Sequence, residues 1–184
     1  MDDRTAPTVS HGSFLRGVGK RIPALAGAIA ATLLLLPPSG RVDADMVGEA
    51  RIIDGDTVEI GGERIRLHGI DAPESRQTCT VVGEEWRCGE SATHALVDET
   101  SGQLVTCKGN KRDRYGRLIA VCYAGADDLN AWMVREGWAV AYRRYSKDYV
   151  DEEAEARAAG NGVWRGEFML PGKWRQTVRQ SAQR

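Results

Sequence analysis

From Val47 onward, apolar and polar positions alternate in short runs that predict β-strands. Ala50 and Ile52 before, and Thr57, Val58 and Ile60 after, flank Asp54-Gly55-Asp56, where a glycine between two acids signals a tight turn or bulge. Gly61-Gly62 is a hairpin signal. Residues 63–70 then alternate with period two, so Ile65 and Leu67 face one way and Arg66 and His68 the other. Residues 75–88 read as a polar loop. Residues 91–99 read as a short helix, with Ala92, Ala95, Leu96 and Glu99 along one side. Two β-prone runs, 103–107 and 118–123, enclose a basic turn from Lys108 to Arg117. Asp128 is a good N-cap for a helix over 129–136 with a Leu129, Trp132, Met133 stripe, and Gly137 stops it. A short strand over 138–142 follows. Asp148 then caps a last helix, with Asp151, Glu152 and Glu153 in its first turns, Arg157 near its end and Gly160-Asn161-Gly162 after it.

This order, three strands, a helix, two strands, a helix, a short strand and a helix, predicts an α+β fold: a small closed β-barrel with attached helices. Residues 45–168 form the barrel domain in this reading. Residues 169–184, with Pro171-Gly172 near their start, read as a basic C-terminal tail. No internal repeat is visible.

Ahead of the barrel, Lys20-Arg21 precedes an apolar run from Ile22 to Leu36, broken by Pro37-Pro38. About fifteen residues at ~1.5 Å rise reach only ~22 Å, short of the ~30 Å hydrocarbon core. No basic stop-transfer cluster follows. The pattern fits the apolar region of a secretory signal, residues 1–44, with cleavage after Ala44 of Val42-Asp43-Ala44. An uncleaved signal anchor is the alternative. The protein is therefore expected to be exported, secreted or periplasmic, or else tethered to a membrane by that anchor, with no other membrane segment.

The 184 residues carry 25 basic and 26 acidic groups, a net charge of −1, and are 42% apolar and 28% charged. That is ordinary for a globular domain and wrong for a disordered chain. Without residues 1–44 the balance is 20 basic against 23 acidic, or −3. A protein that coats nucleic acid through bulk positive charge is excluded; any nucleic-acid chemistry must use a local site. Cys79, Cys88, Cys107 and Cys122 contain no Cys-x-x-Cys pair and no histidine at zinc-finger distance. Two disulfides fit an exported chain better than a zinc, redox or metal-storage site.

Three segments concentrate oxygen ligands and arginines: Asp54-Gly-Asp56-Thr57, Arg66 to Glu74, and Asp113-Arg-Tyr-Gly-Arg117. Carboxylates at neighbouring strand ends can hold a hard cation such as Ca²⁺. Arginine's fork binds phosphate bidentately. Metal, carboxylate base and two arginines together suit phosphodiester chemistry. Each segment alone is ordinary: Asp-Gly-Asp is usually a turn, and a lone strand arginine is usually solvated or ion-paired.

In this order and spacing, Ile53-Asp-Gly-Asp-Thr-Val58, Arg66 with Asp71-Ala-Pro-Glu74, and Asp113-Arg-Tyr-Gly-Arg117 closely resemble the staphylococcal nuclease (thermonuclease) family. The likeness runs from about Arg51 to Trp164 and includes Asn130, Arg135, Gly137 and Gly162-Val-Trp164. It implies a five-stranded OB-type barrel with three helices. It also implies a Ca²⁺-dependent endo/exonuclease cutting DNA and RNA, preferably single-stranded, to 3′-phosphate products; a monomer is expected. The resemblance makes Asp56, Asp71 and the Ala72 carbonyl metal ligands, with Asp54 an outer-shell acid. Glu74 would position or deprotonate water, and Arg66 and Arg117 would grip the phosphate. Arg114, Tyr115, Tyr142 and Tyr145 would bind the nucleotide. Members that keep the barrel but lack the acids supply the alternative, a non-catalytic OB-fold nucleic-acid-binding module.

Two departures from the family pattern stand out. Ala72 replaces the usual threonine, and the loop after Glu74 is longer and carries Cys79 and Cys88. A Cys79–Cys88 bridge would close that loop, worth ~2–3 kcal/mol in the chain-entropy model. A Cys107–Cys122 bridge would tie the two strands of the basic hairpin. Four cysteines allow three connectivities, which stay open at this point. His68, on the Arg66 face, is a weak second candidate base; His94 reads as a surface-helix residue. Trp86, in the cysteine loop, is a candidate for stacking on a nucleic-acid base.

Overall fold

A computed structural model of the chain describes residues 45–184, so the signal-segment reading of residues 1–44 lies outside the described residues. The strands are β1 (Met46–Gly48), β2 (Arg51–Asp54), β3 (Thr57–Ile60), β4 (Glu63–Leu67), β5 (Ile70–Asp71), β6 (Cys79–Val81), β7 (Glu84–Trp86), β8 (Val105–Arg112), β9 (Leu118–Ala124), β10 (Asp127–Asp128) and β11 (Val140–Ala141). The helices are α1 (Cys88–Thr100), α2 (Leu129–Arg135), α3 (Val150–Ala159) and α4 (Pro171–Ser181), with a 3-10 turn at Gly162–Arg165. No described helix is long and apolar enough to cross a membrane.

The main sheet runs β1-β8-β9-β4-β3-β2, antiparallel except for the parallel β4–β9 pair, with β10 added beside β9. Strand alternation builds the interior. Leu118, Ala120, Cys122 and Ala124 of β9 are buried, and the residues between them are half-buried. In β4, Ile65 and Leu67 enter the core and Arg66 faces the other way, as the period-two pattern predicts. A Cβ on Gly48 would lie 2.7 Å from Ile60 Cγ2, so β1 passes close to the end of β3 and the sheet curls on itself. The fold is the expected α+β, OB-type barrel.

α1 packs its Ala92, Leu96 and Thr100 face against the barrel. Asp128 caps α2 by accepting from the Ala131 N–H at 3.0 Å, as predicted. Buried Asn130 then accepts from the Cys122 N–H (3.1 Å) and donates to the His68 and Ala120 carbonyls (2.9 and 3.3 Å). One α2 side chain thus fixes β9 and the end of β4 together. Gly160 ends α3 in the left-handed region at φ 67°.

Three features differ from the sequence reading. Asp148 does not cap α3, which starts after Tyr149 with no side-chain cap; the Asp148 carboxylate meets His68 Nε2 at 3.1 Å instead. The polar loop contains the β6–β7 hairpin, closed by the Cys79–Cys88 disulfide and forming a satellite core with Val163, Trp86, Trp164 and Phe168. The turn expected at Asp54-Gly55-Asp56 is present, and Gly55 also serves close packing there, since a Cβ would lie 2.7 Å from the Ala72 Cβ. Within residues 169–184 the chain forms α4, a fourth helix beyond the three expected.

The second disulfide joins Cys107 and Cys122, directly opposed in the β8–β9 register with Cα atoms 4.0 Å apart, the close approach of a non-hydrogen-bonded antiparallel pair.

Candidate active site

The first segment places Asp54 at the end of β2 and Asp56 in the turn into β3. The bulge between Ile52 and Asp54 shifts the register there, and the Asp54 carboxylate accepts from the Asp56 N–H at 3.0 Å. Asp56 is thereby turned inward and is 3% exposed. Its Oδ2 accepts from the Ala72 N–H at 2.9 Å, and its Oδ1 accepts from Thr57 Oγ1 and from the Arg66 guanidinium. The second segment places Asp71 in β5, 2% exposed, with its Oδ1 2.9 Å from Arg66 Nη2. Arg66 of β4 therefore lies between two buried carboxylates and also donates to the Ile70 carbonyl at 3.3 Å. Burial pulls its guanidinium below the ordinary value, against the opposing pull of Asp71. Burial also pushes the Asp54 carboxyl up, against the Thr57 hydroxyl and the two arginines.

Glu74 sits on the loop after β5, and the loop's position follows from two residues that sequence reasoning did not single out. A Cβ on Gly89, in the first turn of α1, would fall 1.7 Å from the Glu74 carbonyl oxygen; only glycine lets this backbone rest on the helix. Gln77 is fully buried. Its Oε1 accepts from the Glu74 N–H at 3.3 Å, its N–H donates to the Glu74 carbonyl at 2.7 Å, and its Nε2 donates to the Met169 carbonyl at 2.6 Å. A buried glutamine is stable only when so satisfied.

A third unanticipated group meets these acids. Arg175 of α4 donates from Nη1 to Asp71 Oδ1 (3.0 Å) and Glu74 Oε1 (2.7 Å), and from Nη2 to Asp71 Oδ2 (3.0 Å). Burial lowers its proton affinity, but the Asp71 and Glu74 hydrogen bonds and charges outweigh this and hold it above the ordinary value. Carboxylates and guanidiniums thus alternate: Asp56, Arg66, Asp71, Arg175, Glu74. Among the described residues, no three His, Cys, Asp or Glu side chains meet as a metal-sized cluster. The donor set around Asp56 and Asp71 is nonetheless oxygen-only and largely buried, which suits a hard cation.

The third segment forms the β8–β9 turn. Asp113 organises it, accepting from the Tyr115 and Arg117 N–H groups (2.8 and 3.1 Å) and from Arg117 Nε (2.7 Å). Slight burial pushes the Asp113 carboxyl up, but these hydrogen bonds prevail and hold it below the ordinary carboxylate range. Arg117 Nη1 reaches Thr57 Oγ1 at 3.5 Å. Arg66 and Arg117 therefore converge on consecutive residues, Asp56 and Thr57. Arg114 and Arg117 also lie over the exposed Tyr115 ring, at 4.7 and 5.6 Å from its centroid. Arg112, Tyr115, Gly116 and Arg117 line an open cleft of about 490 Å³ with Gly62, Glu63 and Arg64.

Other candidates lie apart. Tyr142 and Tyr145 stack edge-on at 4.9 Å, and the Tyr142 N–H donates to Gly69 O beside β5. Among the described residues, no hydrogen bond or ring contact joins their side chains to the acids, Arg66 or Arg117. His68 is paired with Asp148 at the surface, and His94 is exposed on α1. Trp86 is not presented for stacking: Arg165 lies 3.9 Å over its ring, and Trp138 meets its edge at 6.5 Å.

The sequence profile described as staphylococcal nuclease homologue matches residues 64–166. A succinoglycan biosynthesis protein, ExoI, of Rhizobium meliloti (strain 1021) is 38% identical over 77% of this chain and 75% of its own. A micrococcal nuclease of Shigella flexneri is 36% identical over 84% of this chain and 94% of its own. An uncharacterized endonuclease of Escherichia coli O157:H7 is 36% identical over 66% of this chain and 78% of its own.

Proposed function

The chain belongs to the staphylococcal nuclease family and is a nuclease, and on that premise we propose that it is an exported, Ca²⁺-dependent enzyme that hydrolyses DNA and RNA to 3′-phosphate products. The observation that carries the reading is the convergence of Arg66 and Arg117 on Asp56 and Thr57, beside a carboxylate on a separate loop. A phosphodiester needs two such cations on its non-bridging oxygens and a base on one side of phosphorus. Here that base is Glu74.

Asp56, Asp71 and the Ala72 carbonyl would hold the metal, with Asp54 outside them. When bound, Ca²⁺ supplies positive charge to the phosphate and acidifies a water. The protein's own groups do the rest. Glu74 takes the proton of the attacking water, and Gln77 and Gly89 hold the Glu74 backbone in place. Arg66 is oriented by two carboxylates and Arg117 by Asp113, so both guanidiniums are set before substrate arrives. Charge that grows on the phosphate oxygens meets donors already in position. Tyr115 and Arg114 present a ring and a cation to the neighbouring nucleotide, which favours a strand whose bases are free to unstack. Tyr142 and Tyr145 belong to the same nucleotide side in this proposal, reached as the substrate binds.

The disulfides Cys79–Cys88 and Cys107–Cys122 support export to an oxidising compartment. Incubating the full chain with end-labelled single-stranded oligonucleotide tests the reading. Cleavage that requires Ca²⁺ and leaves 3′-phosphate ends is expected; binding without cleavage, with and without Ca²⁺, would establish a non-catalytic module instead.

A further inference from the structure

Asp71 and Glu74 are tied to a helix that lies outside the matched family segment. α4 begins at Pro171, and Gly172 faces Asp71: a Cβ there would stand 3.8 Å from Oδ2. One turn on, Arg175 spans both acids with three charge-assisted hydrogen bonds. The approach is guided upstream. Thr80 and Glu167 exchange backbone hydrogen bonds at 2.8 Å in both directions, and Gln77 holds the Met169 carbonyl. Residues 171–184 carry Lys173, Arg175, Arg179 and Arg184 and no acid, so the helix is attracted to the carboxylates as a whole.

We propose that Arg175 is an internal counter-cation that competes with Ca²⁺ for Asp71 and Glu74, making α4 an autoinhibitory latch that metal binding must release. Asp71 has two oxygens, and the guanidinium uses both. Arg175 and Arg66 together take three of the roughly four lone-pair sites of the Asp71 carboxylate, leaving little room for direct ligation of a divalent ion, and a guanidinium and a dication held on one carboxylate repel each other. Glu74 is restrained by the same contact, because Arg175 Nη1 occupies Oε1 at 2.7 Å and a water must compete with it for that oxygen. Release of the helix frees ligand and base together, and leaves a cationic segment beside a phosphate-bearing substrate.

The inference rests on the Ca²⁺ reading above, and the test separates the two. Ca²⁺ is titrated calorimetrically into the full chain and into R175Q and R175K. R175Q should bind at least about tenfold more tightly than the parent, the size of one charge-assisted hydrogen bond, and R175K should fall between. In parallel, saturating Ca²⁺ should raise amide hydrogen exchange across residues 171–181 of the parent. Equal Ca²⁺ affinity in the parent and R175Q, or unchanged α4 exchange on saturation, overturns the latch and leaves the Ca²⁺ reading standing. Absence of Ca²⁺ binding in all three chains overturns both.

Discussion

The two sides of the site are built on different principles. On the acid side, Asp56, Arg66, Asp71, Arg175 and Glu74 form a mostly buried chain of charges, each held by its neighbours. On the basic side, Asp113 folds the β8–β9 turn through two backbone N–H groups, Arg114 and Tyr115 project from it toward solvent, and Arg117 reaches back to Thr57. The acid side derives its order from side chains that depend on one another. The basic side derives it from a turn that persists whichever side chains it displays. Arginines with parallel roles toward phosphate should therefore differ in what they do for folding.

The largest expected effect tests that contrast directly. Arg66→Ala and Arg117→Ala should each lower turnover by about 10³-fold or more, as for other arginines in phosphoryl transfer. Only Arg66→Ala should also unfold the metal-free protein easily, losing roughly 3–5 kcal/mol because Asp56 is left buried without a counter-charge, while Asp71 keeps only Arg175. Arg117→Ala should cost at most about 1 kcal/mol. Urea unfolding in chelator reads both, and equal losses would break the comparison.

A smaller effect sharpens it. Gln77→Leu removes the groups that satisfy the Glu74 N–H and the Met169 carbonyl, so about 1–3 kcal/mol of stability should go. Turnover should fall further than substrate affinity, because the base loop is displaced and the arginines are not. A variant that lost affinity alone would place Gln77 on the wrong side of the comparison.

The smallest effect lies on the basic side. The Asp113 carboxyl is held below its ordinary value in the folded protein. Its contribution is therefore complete above the unfolded value of 3.8, and is lost as pH falls below that value and through the folded one. In Asp113→Asn this part of the acid limb should disappear from a melting-temperature series between about pH 5 and pH 2, with a change of at most about 1 kcal/mol. An acid limb identical to that of the parent would show that the turn does not depend on this charge.

The basic side was almost wholly legible in the sequence. Asp113 to Arg117 is a contiguous turn, and the contacts that fold it span at most a few positions, the range that local pattern reports. Barrel strands and α2 were legible for the same reason: Ile65 and Leu67 alternate, and Asp128 caps as its type prefers. The acid side was legible only where motif residues are close in sequence. Arg175 meets Asp71 from 104 residues away, and nothing in a basic tail announces a partner at that distance. Gln77 read as one polar residue in a polar loop, because its burial is decided by α1 and by the chain near Met169. Asp148 had the chemistry of a cap, but His68 of a distant strand captured its carboxylate. Gly55 read as a turn glycine and lies in that turn, but its second use, close packing on Ala72 and Ala92, is decided by chain distant in sequence.

The Cys107–Cys122 bond spans the two strands that lead into the basic turn, and both sulfurs lie inside the barrel wall. In the chain-entropy model such a bond is worth about 3 kcal/mol. Domains of this size hold only about 5–15 kcal/mol in all. In a reducing compartment the same chain would have a folded-to-unfolded ratio lower by roughly 100-fold, and the unfolded fraction would be open to proteolysis. Oxidation of this pair thus decides how long the folded nuclease outlasts proteolysis rather than whether it folds.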